Sequence, residues 1–240
     1  METNSRQLEE ALLTAASCGD TQTIKRFLEG GVNVNYQDYN GETALHNAAR
    51  IRNTDIIKLL IDAGIDSIAQ NKYGYTALHI AVMNGNTDIV KLLIDAGPNI
   101  QNQYGNTALV VAVIYGNTES AKLMIDGGID LNIKNQFDRR TALQIAVDHR
   151  YTEIVKLLID GGIDLNITSR YDNTALHIAV EHGYTEIVRL LIDGGIDPNT
   201  KNEDGHTALH IAAKQDDQAI ASLLLDNECD PNIRNKHVEM

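Results

Sequence analysis

The chain has 240 residues, 43% hydrophobic and 22% charged, with 33 Asp and Glu against 20 Lys and Arg and a formal net charge of −13. That apolar share is ordinary for a folded domain and argues against disorder. The acidic balance argues against nucleic-acid backbones and anionic membranes, both of which select for concentrated Lys and Arg. The longest apolar run, Ala108 to Tyr115, has eight residues, far short of the roughly 20 that cross a bilayer.

The first predicted element is a helix carrying Leu12, Ala15 and Ala16 and ending near Gly19, with polar Gln7, Glu9 and Glu10 ahead of it. The same spacing returns as Leu45, Ala48, Ala49 and Arg52. From there Thr-Ala-Leu recurs at Thr43, Thr76, Thr107, Thr141, Thr174 and Thr207, at intervals of 33, 31, 34, 33 and 33 residues. A period near 33 marks a stacked repeat whose units cannot bury an apolar face alone. In the unit from Asn71 to Asp95, Lys72-Tyr73-Gly74-Tyr75 reads as a tight turn. Thr76 reads as the N-cap of a helix through Val82, and Gly85 as the left-handed residue that ends it. Ile89, Val90, Leu92 and Leu93 then form the stripe of a second helix ending near Gly97.

Thr-Ala-Leu-His at 43–46, 76–79, 174–177 and 207–210, with Val110 and Gln144 replacing His in two units, resembles the ankyrin-repeat signature. The resemblance covers nearly the whole chain. It implies an all-α solenoid of helix-turn-helix units joined by β-hairpin-like loops, an L-shaped stack whose first helices and hairpins line a concave face. Seven repeats are expected in a single domain over 1–240, at about 5–37, 38–70, 71–101, 102–134, 135–168, 169–201 and 202–236. The first, with Glu10 and Leu13 where Thr and His are expected, reads as a cap. The last keeps interior-like Ile220, Leu223 and Leu224 and reads as under-capped.

Three departures stand out. Ala replaces the family's Pro at the first helical position, at a cost of about 0.4–1 kcal/mol each through unfolded-state entropy. Two residues are missing near Gly97-Pro98-Asn99, which predicts a tighter connection after that second helix. One is added in Gln136-Phe137-Asp138-Arg139-Arg140, which predicts a protruding or kinked hairpin.

A search for chemistry returns structural readings. His46, His79, His177 and His210 occupy one position in four repeats, so they cannot converge on one ion; His149, His182, His206 and His237 are dispersed. The Gly pairs at 30–31, 127–128, 161–162 and 194–195 read as helix ends. Asp62, Asp95, Asp126, Asp160, Asp193 and Asp226 form a row at the ends of second helices and read as a solvated ridge, with docking of a basic partner as the alternative. Asn35, Asn132, Asn166, Asn199 and Asn232 read as turn organisers. The resemblance adds that Asn166, after Leu158 and Asp164-Leu165, is a candidate for asparaginyl hydroxylation. Cys18 and Cys229 fall in the first and last repeats, too far apart in a linear array for a disulfide, and are expected as reduced thiols in partly buried helices. No metal, cofactor or catalytic constellation is expected. Without a secretory-type N-terminus in Met1 to Arg6, a cytoplasmic location is expected.

Function is therefore expected on the surface. Tyr39, Tyr73, Tyr75, Tyr104, Phe137 and Tyr171 lie on successive hairpins, and Arg50, Ile51, Met83, Ile114, Tyr115, His149 and His182 end first helices. Arg139 and Arg140, with Arg150 and Arg170, add a basic cluster. Aromatic anchors favour a protein partner, and packing of the same rings between neighbouring hairpins is the alternative. The expectation is a monomeric scaffold that binds another protein. Two alternatives stay open: an effector of an intracellular pathogen or symbiont that targets a host enzyme, and the targeting arm of a larger enzyme.

Overall fold

A computed structural model describes residues 2–236. Among these residues it contains fourteen helices and no strand. His237 lies outside the described residues. The chain packs as two compact units, Met1–Ile129 and Asp130–Met240.

The first unit holds four helix pairs: α1 (Glu2–Cys18) and α2 (Thr21–Glu29), α3 (Ala44–Arg50) and α4 (Thr54–Asp62), α5 (Ala77–Met83) and α6 (Thr87–Leu93), α7 (Ala108–Ile114) and α8 (Thr118–Asp126). Within it the first helices α1, α3, α5 and α7 pack side by side, as do the second helices α2, α4, α6 and α8. The second unit holds three pairs: α9 (Ala142–Asp148) and α10 (Thr152–Asp160), α11 (Ala175–Glu181) and α12 (Thr185–Asp193), α13 (Ala208–Lys214) and α14 (Gln218–Leu225). It repeats the same two-layer arrangement.

Apart from α1, the first helices are seven residues long, too short to persist in water alone, so their ends must be held. In α3 and α5 the hydroxyls of Thr43 and Thr76 accept the backbone N–H of His46 and His79, whose Nδ1 atoms accept the Thr backbone N–H in return. That is a reciprocal capping box with His as the third helical residue. The opposite ring nitrogen reaches the next hairpin: His46 Nε2 lies 2.9 Å from the carbonyl of Tyr75, and His79 Nε2 3.1 Å from that of Asn106. Gln144 reproduces the arrangement in α9, its Oε1 accepting Thr141 N–H and its Nε2 donating to the carbonyl of Asn173. Gly85 follows α5 at φ +64° as expected, whereas the equivalent positions after α3, α9 and α13 hold Arg52, Arg150 and Asp216 in the same left-handed region.

The turns are closed by Asp side chains rather than by the expected Asn residues, four of which instead tie one turn to the next. Asp66, Asp130, Asp164, Asp197 and Asp230 each accept a backbone N–H two residues on. Asn35, Asn132, Asn166 and Asn199 accept the backbone N–H of the Asp in the following turn.

Several expectations need correction. The first helix runs from Glu2 with Arg6 paired to Glu10 one turn on, so Glu10, which aligns with Thr43, lies inside the helix and not at a capped start. The two-residue deletion is absorbed inside the second helix: α6 stops at Leu93, so Asp95 lies beyond the helix and outside the row of helix-terminal carboxylates. Cys229 sits in the buried turn after α14, not in a helix, while Cys18 ends α1 and is exposed; both are free thiols. The extra residue near Asp138 widens its hairpin, where Asn135 Oδ1 accepts Arg140 N–H five residues later and Arg139 takes φ +54°. At the last pair Leu209 and Ile211 are partly exposed, whereas their counterparts Leu176 and Ile178 are buried, as an under-capped end requires.

Candidate protein-interaction faces

In each unit the hairpins and the ends of the first helices present side chains at three recurring positions: the residue before each Thr, the last helical residue and the one after it. Capping boxes fix the backbone at α3, α5, α9, α11 and α13, and the Thr107 side chain alone caps α7, so side-chain chemistry is free to differ.

In the first unit the outer hairpin positions are aromatic and wet. Tyr39 is 92% exposed, and Tyr73, Tyr104 and Tyr115 each leave about half of their surface in water. Lys72 lies 5.0 Å from the Tyr73 ring centroid and 5.8 Å from that of Tyr39, and its ammonium group also bonds the Asn40 side chain. Tyr75 is half-buried, its ring edge-on to His79 at 5.7 Å. Burial pushes the Tyr75 hydroxyl above its ordinary range, with Tyr104 and Tyr115 adding to the shift. Met83 is half-buried, and Ile51 and Ile114 are exposed. Arg50, at the far end of this face, is held by Glu42 at 2.9 Å.

A feature not visible in the sequence is a buried donor without an acceptor. In two hairpins the Asn side-chain amide bonds the residue before the preceding Thr: Asn71 Nδ2 donates to Glu42 Oε1, and Asn202 Nδ2 to Asn173 Oδ1. In the hairpin of Asn102 the corresponding residue is Tyr75, and Asn102 Nδ2 is left without a partner although the residue is 3% exposed.

The second unit fills the same positions with groups that satisfy one another. Arg140 bonds Asp138 at 3.1 Å and Asp148 at 3.0 Å, and His182 Nε2 lies 3.0 Å from the other Asp148 oxygen. Burial works to raise the Asp148 carboxyl, but the His182 hydrogen bond and the Arg140 charge outweigh it and hold the group below its usual range. His149 bonds the Ile145 carbonyl at 2.9 Å and stacks on Tyr151; His182 stacks on Tyr184, over which Arg150 lies at 5.2 Å. The Arg cluster is therefore not one open cationic patch: Arg140 is engaged by the chain's own carboxylates, while Arg139 and Arg170 are exposed. Phe137 at 69% and Tyr171 at 53% remain exposed. Tyr151 and Tyr184 were not anticipated. They occupy N-cap positions that Asn53 and Asn86 fill with capping side chains in the first unit, and His-x-Tyr at 149–151 and 182–184, 33 residues apart, is the signal that could have found them.

Asn166, the expected hydroxylation target, is exposed, and its side-chain carbonyl accepts Asp197 N–H at 2.9 Å. Among the described residues no cluster of His, Cys, Asp or Glu could hold a metal ion, and no helix is long and apolar enough to cross a membrane.

The fold and its capping signature define a repeat-built binding module, and the comparisons give its class. A model of ankyrin repeats in three copies matches residues 12–102, 63–135, 85–169, 127–202 and 167–235. The chain belongs to the ankyrin-repeat family. The crystal structure of the ankyrin repeat domain of Bcl-3, a unique member of the IkappaB protein family, is similar at TM-score 0.82 and 26% identity, covering 89% of this chain and 97% of that one. An L-asparaginase of Dirofilaria immitis is 54% identical over 41 residues, 17% of this chain; the match spans 7% of that protein's length.

Proposed function

We propose that the chain is a non-catalytic scaffold that binds another protein through the hairpin and first-helix face of its first unit. The observation that carries this reading is a difference in exposed chemistry: Ile114 and Tyr115 stay exposed at the end of the uncharged α7, where the second unit has Asp148 paired with Arg140 and His182. Exposed tyrosines and aliphatics gathered on a rigid support fit the aromatic-rich anchors of protein interfaces. Capture from lysate on the immobilised chain, repeated with Tyr73→Ala/Tyr104→Ala/Tyr115→Ala, tests it: a partner held by the native chain should be lost from the variant. A partner retained by that variant and lost from Tyr171→Ala/His182→Ala would move the site to the second unit.

The short match to an L-asparaginase supports a second reading, in which the same face is the targeting arm of a protein that carries an enzyme elsewhere. Copurification of a covalently linked catalytic segment with the endogenous protein would favour it. The partner-binding face is the same in both readings.

A further inference from the structure

The fourth helix pair of the first unit, α7 and α8 with the hairpin 102–106 ahead of them, is secured less well than the pairs before it. α3 and α5 open with reciprocal capping boxes, but Val110 stands where His46 and His79 return the bond, so Thr107 alone caps α7. Asp20, Asn53 and Asn86 cap α2, α4 and α6 through their side chains; Asn117 does not cap α8, its amide being spent on the carbonyl of Val82.

The core of this repeat differs as well. Four other second helices carry Ile56-Ile57, Ile89-Val90, Ile154-Val155 and Ile187-Val188 at one buried pair of positions, which in α8 is Ser120-Ala121. Two branched apolar side chains thus give way to a methyl and a hydroxyl, and the lost apolar contact weakens the packing. Met124, where those helices have Leu, suits an irregular gap of this kind. Ser120 is 1% exposed and its hydroxyl has no hydrogen-bond partner, so it pays its desolvation without return. Asn102 Nδ2 and Asn106 Oδ1 in the hairpin are buried and unpartnered too; among the described residues, three of the five such atoms belong to this one repeat.

We propose that the fourth repeat is a joint built into the array: α7, α8 and their hairpin open as one local unit while α3 to α6 stay folded. A stacked repeat is held by its own packing and by its neighbours, so the one with the weakest internal terms opens first and locally. Its helices have seven and nine residues, too few to persist once those contacts are lost. Opening withdraws the support under Ile114 and Tyr115, so the joint switches that part of the surface between a formed and an unformed state, whatever binds there.

The chain carries its own set of probes. Lys58, Lys91, Lys122, Lys156 and Arg189 occupy one exposed position in five second helices, so trypsin meets the same local site in each, and its cleavage rate reports how often that helix opens. On the full chain, initial cleavage after Lys122, read by mass spectrometry before any second cut, should be about tenfold faster than after Lys91 or Lys156, the factor that roughly 1.4 kcal/mol of local stability gives. Native-state hydrogen exchange should show α7 and α8 losing protection ahead of α3 to α6. Ser120→Ala, which removes the orphaned hydroxyl without adding bulk, should slow cleavage after Lys122, and Ser120→Ile/Ala121→Val, which restores the pair present in α10, should slow it further. The reverse exchange, Ile154→Ser/Val155→Ala, should create a fast cut after Lys156, with circular dichroism confirming that each variant folds. Equal rates at the five sites, a fastest cut after Lys58 or Lys91, or no slowing by either Ser120 variant would overturn the proposal.

Discussion

The two units place the same backbone under different chemistry. Where α5 and α7 of the first unit end in Met83 and Ile114, α9 and α11 of the second end in Asp148 and Glu181, and where Tyr115 follows α7, His149 and His182 follow α9 and α11. In the second unit those side chains are consumed by mutual ion pairs, stacking and a cation–π contact. In the first, apolar and aromatic groups are left on the surface. The lesson is that a repeat fixes its own geometry through a few buried positions, and a binding surface is made by what those positions leave undetermined.

The same contrast runs into the core and gives the largest expected effect. The first unit buries two imidazoles, His46 and His79, while the second buries His177, has Gln144 at another such position and leaves His210 partly exposed. Burial lowers all four histidines, and His79 falls to about 4. Between that value and the ordinary 6.5 the unfolded chain binds the proton and the folded chain does not, so stability is full above about pH 6.5 and declines as pH falls toward 4. For His79 alone the loss is about 3 kcal/mol. Amide exchange followed from pH 7 to pH 5 should therefore show the first unit opening before the second. His79→Gln, copying Gln144, should flatten the pH dependence of the first unit; equal acid sensitivity of the two units would break the comparison.

Next in size is the binding contrast. Tyr104→Ala or Tyr115→Ala should cost about 2 kcal/mol in partner affinity yet change stability by only about 0.5 kcal/mol, measured by titration calorimetry and chemical denaturation. Tyr171→Ala in the second unit should change neither by more than about 0.5 kcal/mol.

Smaller still is the effect of left-handed residues. Arg52 and Arg150 hold the same positive-φ position in the two units, where a Cβ costs about 1–2 kcal/mol. Arg52→Gly should raise stability by about 1 kcal/mol. Arg150→Gly should gain about 0.5 kcal/mol less, because it also loses the contact with Tyr184. Equal gains, read from denaturant midpoints, would remove the role assigned to that contact.

Much of this was legible in the sequence because it repeats. The Thr caps, the bridging His, the left-handed Gly85 and the Asp and Asn turns each recur at a fixed offset, and a local rule applied six times corrects itself. What was not legible depended on how one irregularity is absorbed. The deletion near Pro98 could have shortened the loop or the helix, and it unwound the last turn of α6. Glu10 aligns with Thr43 but does not cap, and α1 runs through it. At the candidate face the exposed tyrosines were anticipated; the pairing of Arg140 with Asp148 was not, since it links a hairpin to the end of a helix eight residues on. Nor was the orphaned amide of Asn102, which follows from Tyr75 standing where Glu42 and Asn173 supply acceptors.

The claim that recognition resides on the third and fourth repeats of the first unit is tested most directly by hydrogen–deuterium exchange of the full chain with and without its captured partner. Protection is predicted at residues 73–75, 83–88, 104–106 and 114–119, with little change at 138–150 and 171–184. Protection confined to those second-unit segments, with the first unit unchanged, would contradict it.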